Sequence, residues 1–181
     1  CRDLYEEVMN KIVNFLLLAG CIASASTSFA LPEDYQKTID IEADSAFIDN
    51  EKGNAIYIGN VNVRQGSILI SADKLTITSS NSNKKYDKIY AKGTDKKVAN
   101  FSQQLDIKGD MIISRGTKIF YDSSLSILEV EGAGYIKRGE DEITADFIRY
   151  DMTTGTFEAK RNQSGRVSMT LQPKSNTAKA K

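Results

Sequence analysis

Between Pro32 and Pro173 the chain contains no proline, and apolar residues recur at every second position for most of that length. Ala55, Tyr57, Val61 and Val63 fall on one face, with Ile56, Ile58, Asn60, Asn62 and Arg64 on the other. Ile68 and Ile70 alternate with Leu69 and Ser71, and Leu75 and Ile77 with Lys74, Thr76 and Thr78. A period of two matches the strand, whose successive side chains point to opposite faces. Turn chemistry punctuates the runs at Gly53-Asn54, Gly66-Ser67 and Ser79 to Asn83, where Gly and Asn tolerate the required backbone angles. No segment of this interior keeps a helical period beyond two turns. The pattern predicts an all-β chain of many short strands.

The alternation is itself repeated. A shift of 73 positions carries Phe47 onto Phe120, Asp49 onto Asp122, Gly59 onto Gly132, Gly66 onto Gly139, and Ala72-Asp73 onto Ala145-Asp146. The same shift carries Val63 onto Ile136, Ile70 onto Ile143 and Leu75 onto Ile148. The unit reads as strand, Gly kink, strand, Gly turn, strand, Ala-Asp corner, strand. Ala43-Asp44 reads as an earlier partial copy of that corner. Repeated β-units that stack on their neighbours bury one continuous core and favour elongated shapes.

Composition narrows the chemistry. The 24 basic and 24 acidic residues balance, which argues against a nucleic-acid partner held by a broad basic face. Histidine is absent, and Cys1 and Cys21 are the only cysteines. Both lie in a leader, so a mature form would hold no Cys–His nucleophile, no Cys/His zinc site and no disulfide. No catalytic residue, metal or cofactor is expected. Asp73 and Asp146 invite comparison with the carboxylate pair of a glycosidase, but repeat symmetry already accounts for both as equivalent corner residues. Lys84-Lys85 and Lys96-Lys97 could meet phosphates, although such pairs are more often solvated loop charge.

Residues 1–30 read as the leader. Lys11 supplies a basic start, Ile12 to Ile22 a short apolar core, and Ser28-Phe29-Ala30 the small residues of a cleavage site. The true start is placed at Met9, because the acidic residues before it do not suit such a region. The apolar core is shorter than the roughly 20 residues that span a bilayer, so export with cleavage after Ala30 is expected. Leu18-Ala19-Gly20-Cys21 also fits a lipobox, and the alternative is a lipoprotein scaffold anchored through Cys21. Residues 31–173 then form the folded domain and 174–181 a disordered basic tail.

Ile39 to Asp44, Gly59 to Gly66, Ile70 to Leu75, Tyr90 to Gly93 with Val98 to Phe101, Gly109, Tyr121-Asp122, Val130 to Gly132, Ile143 to Ile148 and Arg166 to Pro173 stand in an order and spacing that resemble the LptA/OstA family of periplasmic lipopolysaccharide transport proteins. The resemblance covers about 35–173, with a departure between Gln103 and Thr117 where this chain is slightly longer. It implies a twisted antiparallel β-jelly roll, a slightly open and elongated two-sheet sandwich, whose apolar slot takes the acyl chains of lipid A. It also implies a non-enzymatic role, a periplasmic location, and head-to-tail self-association through the N- and C-terminal edge strands. The implied partners are lipopolysaccharide and inner- and outer-membrane transport components of the same fold. An inner-membrane-anchored partner of that system is the nearest alternative, and a small-residue cleavage site argues against it. The residues expected to line the slot are Ile39, Ile41, Tyr57, Val61, Val63, Ile70, Leu75 and Phe101, with Ile39, Ile41 and Phe101 favoured by the resemblance. The competing reading makes each of them an ordinary sandwich core residue.

Overall fold

The computed structural model describes residues 34–79, 86–94, 96–106, 109–161 and 165–172. The leader with its cleavage site, Met9 and Cys21, the Lys84-Lys85 pair and the basic tail lie outside the described residues. After a short 3-10 turn at Asp34–Gln36 come β1 (Ile39–Glu42), β2 (Ser45–Asp49), β3 (Asn54–Gln65), β4 (Ile68–Ser79), β5 (Tyr86–Lys92) and β6 (Ala99–Gln104). The second half holds β7 (Met111–Gly116), β8 (Lys118–Asp122), β9 (Ile127–Arg138), β10 (Asp141–Asp151), β11 (Thr156–Lys160) and β12 (Ser168–Thr170). Every pairing between them is antiparallel. The all-β expectation holds.

Four long strands decide the architecture. β3 with β4, and β9 with β10, each pair along their length except at one bulge. There Gly59 and Asn60 face the single residue Asp73, and Gly132 and Ala133 face Asp146. Gly59, Asn60, Gly132 and Ala133 all have positive φ, so the strands bend sharply. Each long strand therefore contributes its two halves to two different sheets. The first sheet runs β1-β3-β4-β6-β7-β9-β10-β12 and the second β2-β3-β4-β5-β8-β9-β10-β11. The bends stack into one corner margin. At the opposite margin each sheet ends in its own turns, such as Gly66-Ser67 in the first and residues 50–53 in the second.

The 73-residue repeat is a repeat of register. β1 pairs with β3 as β7 pairs with β9 (Ile41 with Val63, Ser114 with Ile136), and β2 with β3 as β8 with β9 (Phe47 with Ile56, Phe120 with Glu129). Beyond β10 the connecting segment is shorter, and a shift of 68 continues the match. It carries β5 onto β11 and β6 onto β12, so that Phe101 opposite Ile70 becomes Met169 opposite Ile143. One six-stranded module thus occurs twice. The second docks on the first through β5 with β8 and β6 with β7. Ala43-Asp44 does turn a corner, from β1 to β2, but its counterpart in the second module is Gly116-Thr117. It is not an early copy of Ala72-Asp73.

Candidate functional site

The alternation fixes what faces the space between the sheets. From the first sheet Val61, Val63, Ile68, Ile70, Phe101, Ile112, Ile136 and Ile143 are buried. From the second come Leu75, Ile77, Ile119, Tyr121, Leu128, Val130, Ile148 and Tyr150. Both modules share one cluster. Phe101 and Tyr121 meet across the gap with ring centroids 5.0 Å apart, inside the range favoured by aromatic pairs. Two polar atoms in this interior, Ser114 Oγ and Gln103 Oε1, have no hydrogen-bond partner among the described residues.

The eight expected residues all belong to this interior, in two situations. Val61, Val63, Ile70, Leu75 and Phe101 are buried in the cluster, whereas Ile39, Ile41 and Tyr57 are half-buried and packed against it. β1 is an edge strand, and this leaves Ile39 and Ile41 at the open N-terminal end. Sequence reasoning missed the second module's share. The 73-residue shift would have supplied it, since Val63, Ile70 and Leu75 map onto Ile136, Ile143 and Ile148.

A different concavity lies on the outside of the first sheet. Asp40, Arg64, Leu69, Ser102 and Ile113 form one cross-strand row on that face, and Glu42, Asn62, Ser71 and Asn100 the next. Together with Ile39, Ile41, Val63, Ile70, Phe101 and Met111 they line an open trough of about 1110 Å³, so five of the expected residues also border it. Its mixed polar and apolar lining contrasts with the apolar interior.

The turn margin is closed differently in the two modules. In the first, the Asp34 carboxylate accepts hydrogen bonds from the Ser67 amide (2.8 Å), the Ser67 hydroxyl (2.6 Å) and Gln103 Nε2 (3.4 Å). In the second, Arg138 at the tip of β9 donates to Asp110 Oδ2 (3.1 Å) and to the Tyr150 hydroxyl (2.8 Å). Burial pushes the Tyr150 phenol up from its ordinary value, and the neighbouring Arg138 opposes this.

Asp73 and Asp146 sit at corresponding bulges, one per module, which supports their reading as corner residues. Lys96 and Lys97 are exposed, and Lys97 Nζ donates to Asn60 Oδ1 at the corner margin. Among the described residues no group of His, Cys, Asp and Glu could hold a metal ion, and no helix is long and apolar enough to cross a membrane.

Residues 40–156 match the family model described as LptA/(LptD N-terminal domain) LPS transport protein. The lipopolysaccharide export system protein LptA of Haemophilus influenzae is 33% identical over 168 residues, covering 92% of this chain and 93% of the relative. LptA of Escherichia coli K12 is 27% identical over 165 residues, covering 91% and 87%. The crystal structure of LptH from Pseudomonas aeruginosa, described as the LptA-homologous periplasmic component of the lipopolysaccharide transport device, superimposes with a TM-score of 0.69 at 23% identity. It covers 78% of this chain and 100% of that one. The shared architecture is the twisted two-sheet jelly roll anticipated from the sequence.

Proposed function

This chain belongs to the LptA/LptD N-terminal domain family of lipopolysaccharide transport proteins, and from that premise we propose that it carries lipopolysaccharide across the periplasm without catalysing a reaction. The observation that carries this reading is the interior, a single apolar cluster running through both modules between two sheets. The acyl chains of lipid A would occupy it, with Ile39, Ile41, Tyr57, Val61, Val63, Ile70, Leu75 and Phe101 lining the first half. Each methylene removed from water contributes on the order of 0.8 kcal/mol, so several chains bind strongly without specific polar chemistry.

The interior is occupied by its own side chains, so entry requires the sheets to part. The bent strands tie them together at the corner margin. The turn margin is the side free to open, with the Phe101–Tyr121 contact separating as it does.

Both ends of the molecule favour stacking of identical copies head to tail. Among the described residues β1 and β2 are unpaired on one side, as are β11 and β12. Exposed apolar residues mark these edges, namely Phe47 and Ile48 at one end and Val167, Met169 and Leu171 at the other. Four of their five counterparts at the junction between the modules are buried: Tyr121 matches Ile48, and Ala99, Phe101 and Gln103 match Val167, Met169 and Leu171, while Phe120, matching Phe47, is half-buried. A second copy docking as the second module docks on the first would cover them by strand addition. The interior would then continue from copy to copy, toward membrane-bound partners of the same fold.

Photocrosslinking in cells tests the binding reading. A photoreactive residue is placed at Phe101 inside, at Ile113 in the outer trough, and at Lys97 on the corner margin. A lipopolysaccharide adduct at Phe101 alone is the expected result. An adduct only at Ile113 would move the site to the trough, and none at any position in a folded, exported protein would remove the transport reading.

A further inference from the structure

The contacts at the turn margin assign Arg138 a specific task, and we propose that it is the gate of the slot's second half. This inference rests on the reading of the interior as an acyl-chain slot. Arg138 belongs to the first sheet, paired with Ile112 and Asp141. Tyr150 belongs to the second, paired with Leu128 and Phe157. The 2.8 Å bond from the Arg138 guanidinium to the Tyr150 hydroxyl therefore spans the two sheets where they must part. Asp110, in the connection between β6 and β7, holds the other side of the guanidinium at 3.1 Å.

Two further observations show that the crossing is built in. Gly155 lies in the β10–β11 turn of the second sheet, and a Cβ there would sit 3.2 Å from Arg138 Nη1. The absent side chain leaves room for the guanidinium. Tyr150 itself is fully buried and stacks on Phe157 with centroids 4.2 Å apart, so its hydroxyl is held in a fixed position. Among the described residues the first module has no equivalent. Gln65 stands where Arg138 would, and Ile77 where Tyr150 would, and Gln65 bonds to the Lys37 carbonyl instead.

Hydrogen bonds to a charged group are among the stronger ones, and this one links the two sheets at the margin away from the strand bends. Acyl chains reach Leu128, Val130 and Ile136 only when the guanidinium releases Tyr150. The two halves of the slot then differ in entry: Asp34 closes the first through partners within one sheet, whereas Arg138 clasps the second across both.

The test measures opening directly, in the full chain with Cys1 and Cys21 replaced by serine. A single reporter cysteine replaces Leu128 in the second half or, separately, Leu75 in the first. Its rate of reaction with a maleimide reports how often the sheets part. Arg138→Gln is expected to raise the Leu128→Cys rate about tenfold and leave the Leu75→Cys rate unchanged. Tyr150→Phe, which keeps the ring and its stacking, is expected to raise it by a smaller factor. Equal rates with and without Arg138, or a parallel rise at both reporters, would overturn the gate. If Leu128→Cys does not fold, Val130→Cys serves as reporter. Protection of the reporter by added lipopolysaccharide is read in the same samples. Absence of protection would count against the transport reading, whereas the labelling ratio judges the clasp alone.

Discussion

At Gly59 the backbone adopts φ +84°, and a Cβ there would lie 2.1 Å from the Asp44 carboxylate. Gly132 repeats this in the second module at φ +73°, with Thr117 in the place of Asp44. Both glycines sit where a long strand leaves one sheet for the other, so one residue type supports the whole two-sheet layout. Gly59→Ala is expected to destabilise the protein by about 2 kcal/mol, read as a lower urea midpoint at unchanged slope. Adding Asp44→Ala should recover part of that loss, because it removes the carboxylate clash but leaves a Cβ at 2.8 Å and the strained φ. In the interior, Phe101→Ala is expected to cost about 3–5 kcal/mol in the same measurement, since the ring fills space shared with Tyr121. Gly59 and Phe101 were both legible in the sequence, the first through the repeat and the second through the family resemblance. Arg138 was not, because nothing in a single strand's pattern announces a bond to a residue of the facing sheet.

Among the turns, aspartate recurs as the closing residue. Asp49 Oδ1 accepts from the amides of Glu51 and Lys52, and Asp151 Oδ1 from those of Thr153 and Thr154. The Lys52 amide, and the Thr154 amide in the second case, are the main reasons these two carboxyls titrate below the usual 3.8. A lowered carboxylate contributes its stabilisation above the ordinary value and loses it as pH falls through the lowered one. The Lys52 and Thr154 amide resonances are therefore expected to titrate together with midpoints under 3.8, followed by NMR between neutral pH and about pH 2. Midpoints at or above the ordinary carboxylate value would mean that these turns do not hold in solution. The strands themselves follow the period-two pattern closely, and β3 keeps Ala55, Val61 and Val63 inward despite its bulge.

For the whole molecule, the internal junction gives the register in which copies would meet under the proposed stacking. β6 pairs with β7 as Phe101 opposite Ser114, and β5 with β8 as Ile89 opposite Tyr121. Carried to the free edges by the two repeat shifts, these pairs become Met169 opposite Ile41 and Phe157 opposite Ile48 of the next copy. With Cys1 and Cys21 replaced, Met169→Cys and Ile41→Cys variants are expected to form a disulfide-linked dimer only when mixed. Met169→Cys should pair poorly with Ala43→Cys, which lies two residues out of register on the same face. Crosslinks only in the shifted combination would refute the register while keeping the stacking. No association of any mixture by light scattering would remove the stacking itself.

Proline exclusion, period-two alternation and glycine punctuation determined an antiparallel β chain, because side-chain direction and backbone freedom are local properties carried by each residue. The 73-residue repeat went further and marked the second half as a copy of the first from Phe47 to Leu75, though not the shift of 68 that continues it through β11 and β12. Tertiary structure alone decided how the modules dock, since β5–β8 and β6–β7 pairing joins segments whose sequences do not signal one another. It also decided that the interior is filled and that one margin is clasped by Arg138, Tyr150 and Asp110. Those features depend on which residues face each other across about 10 Å between sheets, a distance over which a linear sequence carries no period.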